Sequence, residues 1–315
     1  MEIFMRTLVI SLGLMSSVLA GCASQPQGLD ALRDQANRDA ISTAQSGMTL
    51  IQQAESLKAD ARAQETYRFA PALTSAADDS LNEARSKQQK GRGDDEVRRH
   101  ALAAVATYEK ATAHTRTARE VLAPALAHLE VLNSIRAATY YPSDYQAIEQ
   151  DLNAIIDTLE TTAAPASASQ TQRQLLEDMH ALEVSTIGFV ELQQVRDKVR
   201  NMDDADARKL IPRSFSTALK TLAAAEDLIS KTPRATAEIA KMKDRANTSA
   251  DHAQVILSMV NETLKASPET AESMVLRTER WLYNIAVALR YPDIRHLPMD
   301  EQSRLLAEGV EELQR

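Results

Sequence analysis

Cysteine is almost missing from this sequence: one residue in 315. One thiol excludes an internal disulfide framework and any paired-cysteine metal or redox motif. Glycine is also scarce, at 8 residues, and aromatic residues make up 4%. Sheets and barrels draw on glycine turns and on β-branched or aromatic strands, so an all-β chain is excluded too. There is no surplus of positive charge. With 36 Lys+Arg against 44 Asp+Glu, a net charge of −8 and no dense basic run, the chain lacks the electrostatic footprint of a nucleic-acid binder. No H-E-x-x-H, G-x-S-x-G or G-x-x-x-x-G-K-S/T occurs, so the commoner catalytic signatures are missing. What is present is 44% hydrophobic residues, enough for a sizeable core. Alanine is roughly a sixth of the chain, and alanine is the strongest helix former. The expected fold class is all-α.

The amino terminus carries one basic residue, Arg6, an apolar run from Leu8 to Leu19, and then Leu19-Ala20-Gly21-Cys22. A dozen or so apolar or small residues are too few to cross about 30 Å of hydrocarbon, so the segment reads as a cleaved export signal rather than a membrane span. Glu2 is out of place in a leader and Met5-Arg6 is a normal start, which leaves Met1 and Met5 as alternative initiators. The Leu-Ala-Gly-Cys sequence resembles the lipobox of bacterial lipoproteins. The resemblance implies lipidation of Cys22 and cleavage before it, and Ala23 after the cysteine implies sorting to the outer membrane. Several acyl chains, at about 0.8 kcal/mol per buried CH₂, make a firm anchor. The competing view of Cys22 is an ordinary small residue in a plain signal peptide or a buried helix. With helix-like sequence from Leu29, residues 22–28 form a short tether that keeps the body beside the membrane, expected to face the periplasm.

The rest of the chain repeats itself. Gly47-Met48-Thr49-Leu50-Ile51-Gln52-Gln53-Ala54 returns as Gly188-Phe189-Val190-Glu191-Leu192-Gln193-Gln194-Val195, and the same offset carries Phe69-Ala70-Pro71 onto Leu210-Ile211-Pro212. Further on, Tyr141-Pro142 matches Tyr291-Pro292. The expected organisation is a leader at 1–21, the tether at 22–28, and two bundle repeats at 29–165 and 166–315. A small-residue linker at Ala163–Ser169 joins them.

Each repeat reads as four helices when Pro, Gly and capping residues set the boundaries. The first covers about 30–65 and 172–202. The second begins at Pro71 or Pro212, and the third at about 94 in one copy, while its counterpart is interrupted at Ser267-Pro268. The fourth, near 144–162 and 299–314, is expected to be capped by Ser143 or Asp144 and by Asp300. In the third helix, Val97, Ala101, Ala104, Tyr108, Ala111, Thr115, Ala118, Leu122, Ala125, Leu129 and Leu132 keep a 4-3-4-3 spacing, the seam of a left-handed supercoil. Ala40, Gly47, Ala54 and Ala61 repeat it in the first helix, and Ala246, Ala250, Ala253, Leu257, Val260 and Leu264 in the second copy. If continuous, the third helix would be about 68 Å long, with Pro124 as a kink. The expectation is a tandem-duplicated, elongated antiparallel helical bundle or coiled coil with alanine heptads.

The proline start, the A-x-x-x-L-x-x-A run, a short polar loop and an alanine-heptad helix, at about 65–125 and 205–260, resemble the uncharacterised alanine-rich helical-hairpin domain of many Gram-negative lipoproteins. In that family it often precedes a peptidoglycan-binding outer-membrane-protein-A-like domain; no stretch here resembles that second domain.

Candidate chemistry is sparse. His100, His114 and His128 are spaced by 14, so no two lie at the i, i+3 or i, i+4 separation a metal needs; solvent-facing histidines are expected, with no metal and no cofactor. Tyr140, Tyr141 and Tyr145 surround one Tyr-Pro corner, and Trp281, Tyr283 and Tyr291 its counterpart. These are the candidate contacts to a partner protein or a glycan, or alternatively plugs that fill the wide end of an alanine-lined bundle. Asp203-Asp204-Ala205-Asp206 and the Gly91–Glu96 segment read as caps and turns, and Met179, Met202, Met242, Met259 and Met274 as core. The function these features favour is a lipid-anchored envelope scaffold that is not an enzyme and binds another envelope protein. A peptidoglycan or envelope-glycan module is the alternative.

Overall fold

The computed structural model describes residues 26, 28–162 and 165–314, with the backbone alone for 165–169. Cys22, the leader and both possible starts lie outside the described residues. Among those residues there are thirteen helices and no strand. The chain divides into two compact units, Met1–Leu182 and Glu183–Arg315.

In the first unit, α1 (Leu29–Ser42), α2 (Gly47–Ala63), α4 (Pro71–Gln89) and the first half of α5 (Asp94–Ser134) form a bundle. Side-chain pairs give its directions. Lys87 lies against Glu96 at 3.8 Å, and nearer the other end of the pair Asp78 accepts from the Tyr108 hydroxyl, so α4 and α5 are antiparallel. Glu55 with Arg85 and Lys58 with Asp78 make α2 antiparallel to α4. All eleven seam residues of α5 named above are buried, as are Ala40, Gly47, Ala54 and Ala61. A small residue each heptad lets backbones come close. At Gly47 the approach is so near that a Cβ would lie 2.6 Å from Val97 Cγ1. The second half of α5, α7 (Pro142–Thr161) and the first half of α8 (Pro165–Asp204) share a richer core in which Leu175, Met179 and Leu182 are buried against Leu152 and its neighbours.

The expected first helix is instead two. Thr43 takes an extended conformation, and the Ser46 side chain caps α2 by accepting from the Thr49 N–H at 3.2 Å. The repeat partner α8 has Val184–Ile187 at the equivalent place and runs on unbroken. Pro124 is exposed within α5, which continues past it to Ser134. The expected caps of the fourth helices are not used. Tyr141 and Pro298 occupy the N-cap positions without a side-chain bond, because Pro142 already fills the first turn of α7, where its missing N–H costs nothing. Asp144 and Asp300 fall in the first turns, where they favour the helix dipole.

In the second unit, the latter half of α8 packs with α10 (Pro212–Lys231) and α11 (Thr236–Leu264). Glu191 to Lys243 at 3.0 Å and Glu183 to Arg234 at 2.7 Å set α8 parallel to α11, while Arg196 to Glu226 sets it beside α10. That last pair is the Glu55–Arg85 pair moved 141 residues on with its charges exchanged. The seam holds through Ala246, Ala250, Ala253 and Leu257, with Val260 packed on it, but Leu264 is 67% exposed, so it ends before α11 does; Met259, expected in the core, is instead 47% exposed. α12 (Pro268–Ala288) and α13 (Met299–Leu313) form a hairpin with its own small core of Ala286, Ile294 and Leu306.

One device joins the helices. At Glu65, Arg136 and Asp206 the backbone turns left-handed (φ 55°, 57° and 61°), and a four-residue helix follows: α3 (Thr66–Phe69), α6 (Ala137–Tyr140) or α9 (Ala207–Leu210). Then Ala70, Tyr141 or Ile211, kept out of the helical region by the proline after it, precedes the next helix. From Glu65 to Arg136 is 71 residues and from Arg136 to Asp206 is 70, so the 141-residue repeat is itself halved by a matching corner. Arg290 (φ 57°) opens a shortened version before Tyr291-Pro292.

Candidate functional site

The two Tyr-Pro corners are built differently around the same turn. In the first unit Tyr141 and Tyr145 are half-buried, with their rings packed on the core of α5 and α7. The Tyr145 hydroxyl donates to Asn133 Oδ1 at 2.6 Å. Burial and the nearby Glu149 push this phenol up, against the pull of Asn133. Tyr140 stands at the surface, 41% exposed. Beside this corner an open hollow of about 520 Å³ is lined by Arg68, Phe69, Arg119, Leu126, Glu130 and Asn133 among others. Arg119 lies over the Phe69 ring at 4.9 Å and donates to Glu65.

In the second unit Tyr291 plugs the hairpin. Its amide donates to Ala286 O at 2.9 Å, and its ring lies on Gly309, where a Cβ would come within 2.8 Å of Tyr291 Cε2. Tyr283 is half-buried beneath the Arg295 guanidinium, 4.5 Å from its ring centre. Asp293 holds that guanidinium through three contacts of 2.5 to 3.1 Å, and the bond keeps the Asp293 carboxyl down at about 2. Trp281 is 53% exposed, with Arg277 at 5.8 Å from its ring. Of the six aromatic candidates, then, Tyr141, Tyr145 and Tyr291 fill core space, Tyr283 lies under an arginine, and Tyr140 and Trp281 face outward.

Two polar arrangements in the first unit were not singled out by spacing. Asp78 on α4 receives the Tyr67 hydroxyl at 3.0 Å, the Tyr108 hydroxyl and Lys58 Nζ at 2.8 Å. Burial works to raise its pKa, and the three donors outweigh it, so the carboxyl stays below its ordinary range. Tyr108 is fully buried, and burial together with Asp78 pushes its phenol up. A sequence signal existed: Tyr67 and Tyr108 are the only tyrosines outside the corners. In the second repeat Val199 and Leu219 stand where Lys58 and Asp78 do, so the network belongs to one copy. The other arrangement is Glu160 of α7, 5% exposed, which accepts from the Leu73 and Ala72 N–H groups at 2.6 and 3.0 Å. It caps α4 from another helix, and burial raises its pKa against the pull of those two bonds. Nothing in the local sequence marks it.

The histidines differ from expectation. His100, His114 and His128 are half-buried rather than solvent-facing, and burial lowers the pKa of His100 and His114. No group of three or more His, Cys, Asp or Glu among the described residues is disposed to hold a metal ion. No helix among them is long and apolar enough to cross a membrane. The described surface carries exposed aromatic rings, guanidinium groups and apolar side chains. No protein-family model, no curated protein and no solved structure matches the chain.

Proposed function

We propose that the chain is a structural or assembly scaffold of the cell envelope, held to the outer membrane by lipid on Cys22 and binding another envelope protein through its helical bundle. The observation that carries this reading is the position of the single cysteine, directly after the apolar run and seven residues before α1 begins at Leu29. A tether of that length spans at most about 24 Å, so the bundle works close to the bilayer. The duplicated alanine seam supports a passive role, since rigid, closely packed helices present long faces rather than an enclosed pocket. The test is Cys22→Ser in the native host. Loss of palmitate labelling and release from the membrane fraction are expected; a variant that stays membrane-bound and labelled refutes the anchor. The glycan alternative draws on the exposed rings of Tyr140 and Trp281. Retention on purified sacculi that disappears with Tyr140→Ala and Trp281→Ala would favour it over the protein scaffold.

A further inference from the structure

The apolar seams do not tell the two repeats apart. Without a gap, α2 and α4 map onto the latter half of α8 and α10, 141 residues on. On the packed faces Ile51 becomes Leu192, Ala54 Val195 and Ala61 Met202, while Ala77, Leu81 and Ala84 become Ala218, Leu222 and Ala225. Every one of these residues is buried. On apolar surface alone, α10 would fit on α2, or α4 on α8, within one chain or between neighbouring chains. Such misassembly is characteristic of repeat proteins.

The polar residues beside the seams do tell the repeats apart. Glu55 of α2 meets Arg85 of α4 at 2.8 Å, and at the same two positions of the second repeat Arg196 meets Glu226 at 2.7 Å. A turn further along α2, Lys58 meets Asp78 of α4 at 2.8 Å, where the second repeat has Val199 and Leu219 in and against its apolar core. Pairing across the repeats would reverse each match. With α10 in the place of α4, Glu55 stands against Glu226, and Lys58 and the buried Tyr108 hydroxyl find Leu219 where Asp78 should be. With α8 in the place of α2, Arg196 stands against Arg85, and the Asp78 carboxylate lies beside Val199. Exposed like charges cost little. A charge deprived of its partner at a part-buried place costs much more.

We infer that these four matched positions are a pairing code, by which each repeat accepts its own helices and refuses those of the other. Stability alone does not require the exchange of charges, because two Glu–Arg pairs of the same sense would hold two bundles equally well. The sense matters only when a helix has a choice of partner. Nearness in sequence favours the right partner within a chain but does not act between chains, where a neighbouring copy presents both repeats. The code acts in both settings, and the network around Asp78, which one repeat has and the other lacks, is its buried part.

The test refolds the full chain from urea at high concentration, as an equal mixture of ordinary and nitrogen-15-labelled chains. A carbodiimide then joins amines to carboxylates, and mass spectrometry identifies the linked peptides. Links of α2 to α10, or of α4 to the latter half of α8, that are absent before unfolding measure mispairing, and few should form in the parent. Glu55→Arg with Arg85→Glu gives the first repeat the charges of the second while keeping an ion pair, so stability should hold while such links rise at least about threefold. Adding Lys58→Val and Asp78→Leu, with Tyr108→Phe to spare the buried hydroxyl, should raise them at least about tenfold. Leu81→Ala weakens every bundle that α4 can join, right or wrong, and should leave the share of mispaired links as in the parent. The charge-exchanged variant decides the matter if the fuller one does not fold. Charge-exchanged chains with no more of these links than the parent overturn the inference, as do Leu81→Ala chains with as many as the charge-exchanged ones.

Discussion

Gly47 and Gly188 are the same residue in the two repeats, and replacing each with alanine should move stability in opposite directions. At Gly188 a new Cβ would meet only the Arg196 guanidinium at 3.4 Å, an ordinary contact. The position lies inside α8, where alanine is favoured over glycine by up to about 1 kcal/mol, so Gly188→Ala should stabilise its surroundings by about that amount. At Gly47, the first residue of α2, the helix-propensity gain is smaller, and the Cβ would lie 2.6 and 2.8 Å from the two nearest Val97 carbons and 2.9 Å from Asp94 Oδ1. Asp94 Oδ1 also accepts the Gly47 N–H at 2.9 Å, so the helices cannot part without losing that bond. Overpacking of this kind costs about 1–3 kcal/mol, and the net should be a loss of about 1–2. Val97→Ala removes Cγ1, the nearest obstruction, but keeps Cβ at 2.8 Å; alone it costs about 1–2 kcal/mol in lost burial, and in the Gly47→Ala background part of that cost should be offset. Hydrogen exchange read by mass spectrometry assigns the changes to α2 and α5 or to α8 and α10 without assuming that the chain unfolds in one step. A Gly47→Ala variant as protected as the parent, or a double variant whose losses add within about 0.5 kcal/mol, would refute the close-approach account.

Arg136→Gly should stabilise the first unit by about 1 kcal/mol, because the left-handed turn at φ 57° strains any residue with a Cβ; Arg136→Val should lose more than that, and thermal melts separate the two. Glu160→Ala leaves the Ala72 and Leu73 amides without their acceptor and should cost about 1–3 kcal/mol. Because burial raises the folded pKa of Glu160, the folded unit holds this proton at pH values where the unfolded chain has released it, so the group's contribution falls as pH rises from about 4.3 through the raised value. Glu160→Gln should flatten that part of the stability profile measured by urea titration. Exchanging charges in the first repeat, Glu55→Arg with Arg85→Glu, reproduces the Arg196–Glu226 arrangement. Each single change should cost at most about 1 kcal/mol at this exposed pair, and the double variant should recover it in a double-mutant cycle.

The alanine seam was legible because its information is periodic. Val97 through Leu132 announces a buried stripe by spacing alone, and every member is buried. Proline positions did the same for the starts of α4 and α10, whereas α7 starts at Pro142, ahead of the expected start near 144 and its expected caps. The break at Thr43–Ser46 was not legible, because it rests on one side-chain cap competing with helix continuation. The half-period corner was hidden because left-handed backbone at Glu65, Arg136 and Asp206 uses residues with no glycine signature. Among the aromatics, sequence located the clusters but not their split. Whether a ring faces in or out depends on its partner surface, as with Gly309 under Tyr291, and no local pattern carries that. Glu160 is the extreme case, since it finds its partners on α4, 87 and 88 residues away.

The corners have a consequence for how the chain reaches its folded state. Because each reverses direction after one helix, the partners that lock the bundles are near in sequence: Glu55 with Arg85 and Arg196 with Glu226 are 30 apart, Lys198 with Asn247 49, and Glu183 with Arg234 51. Short separations make loop closure cheap and folding fast. A chain built this way acquires structure segment by segment, starting at whichever end emerges first. During synthesis the bundle of α2, α4 and α5 can therefore close while the residues of α10 to α13 are still being added.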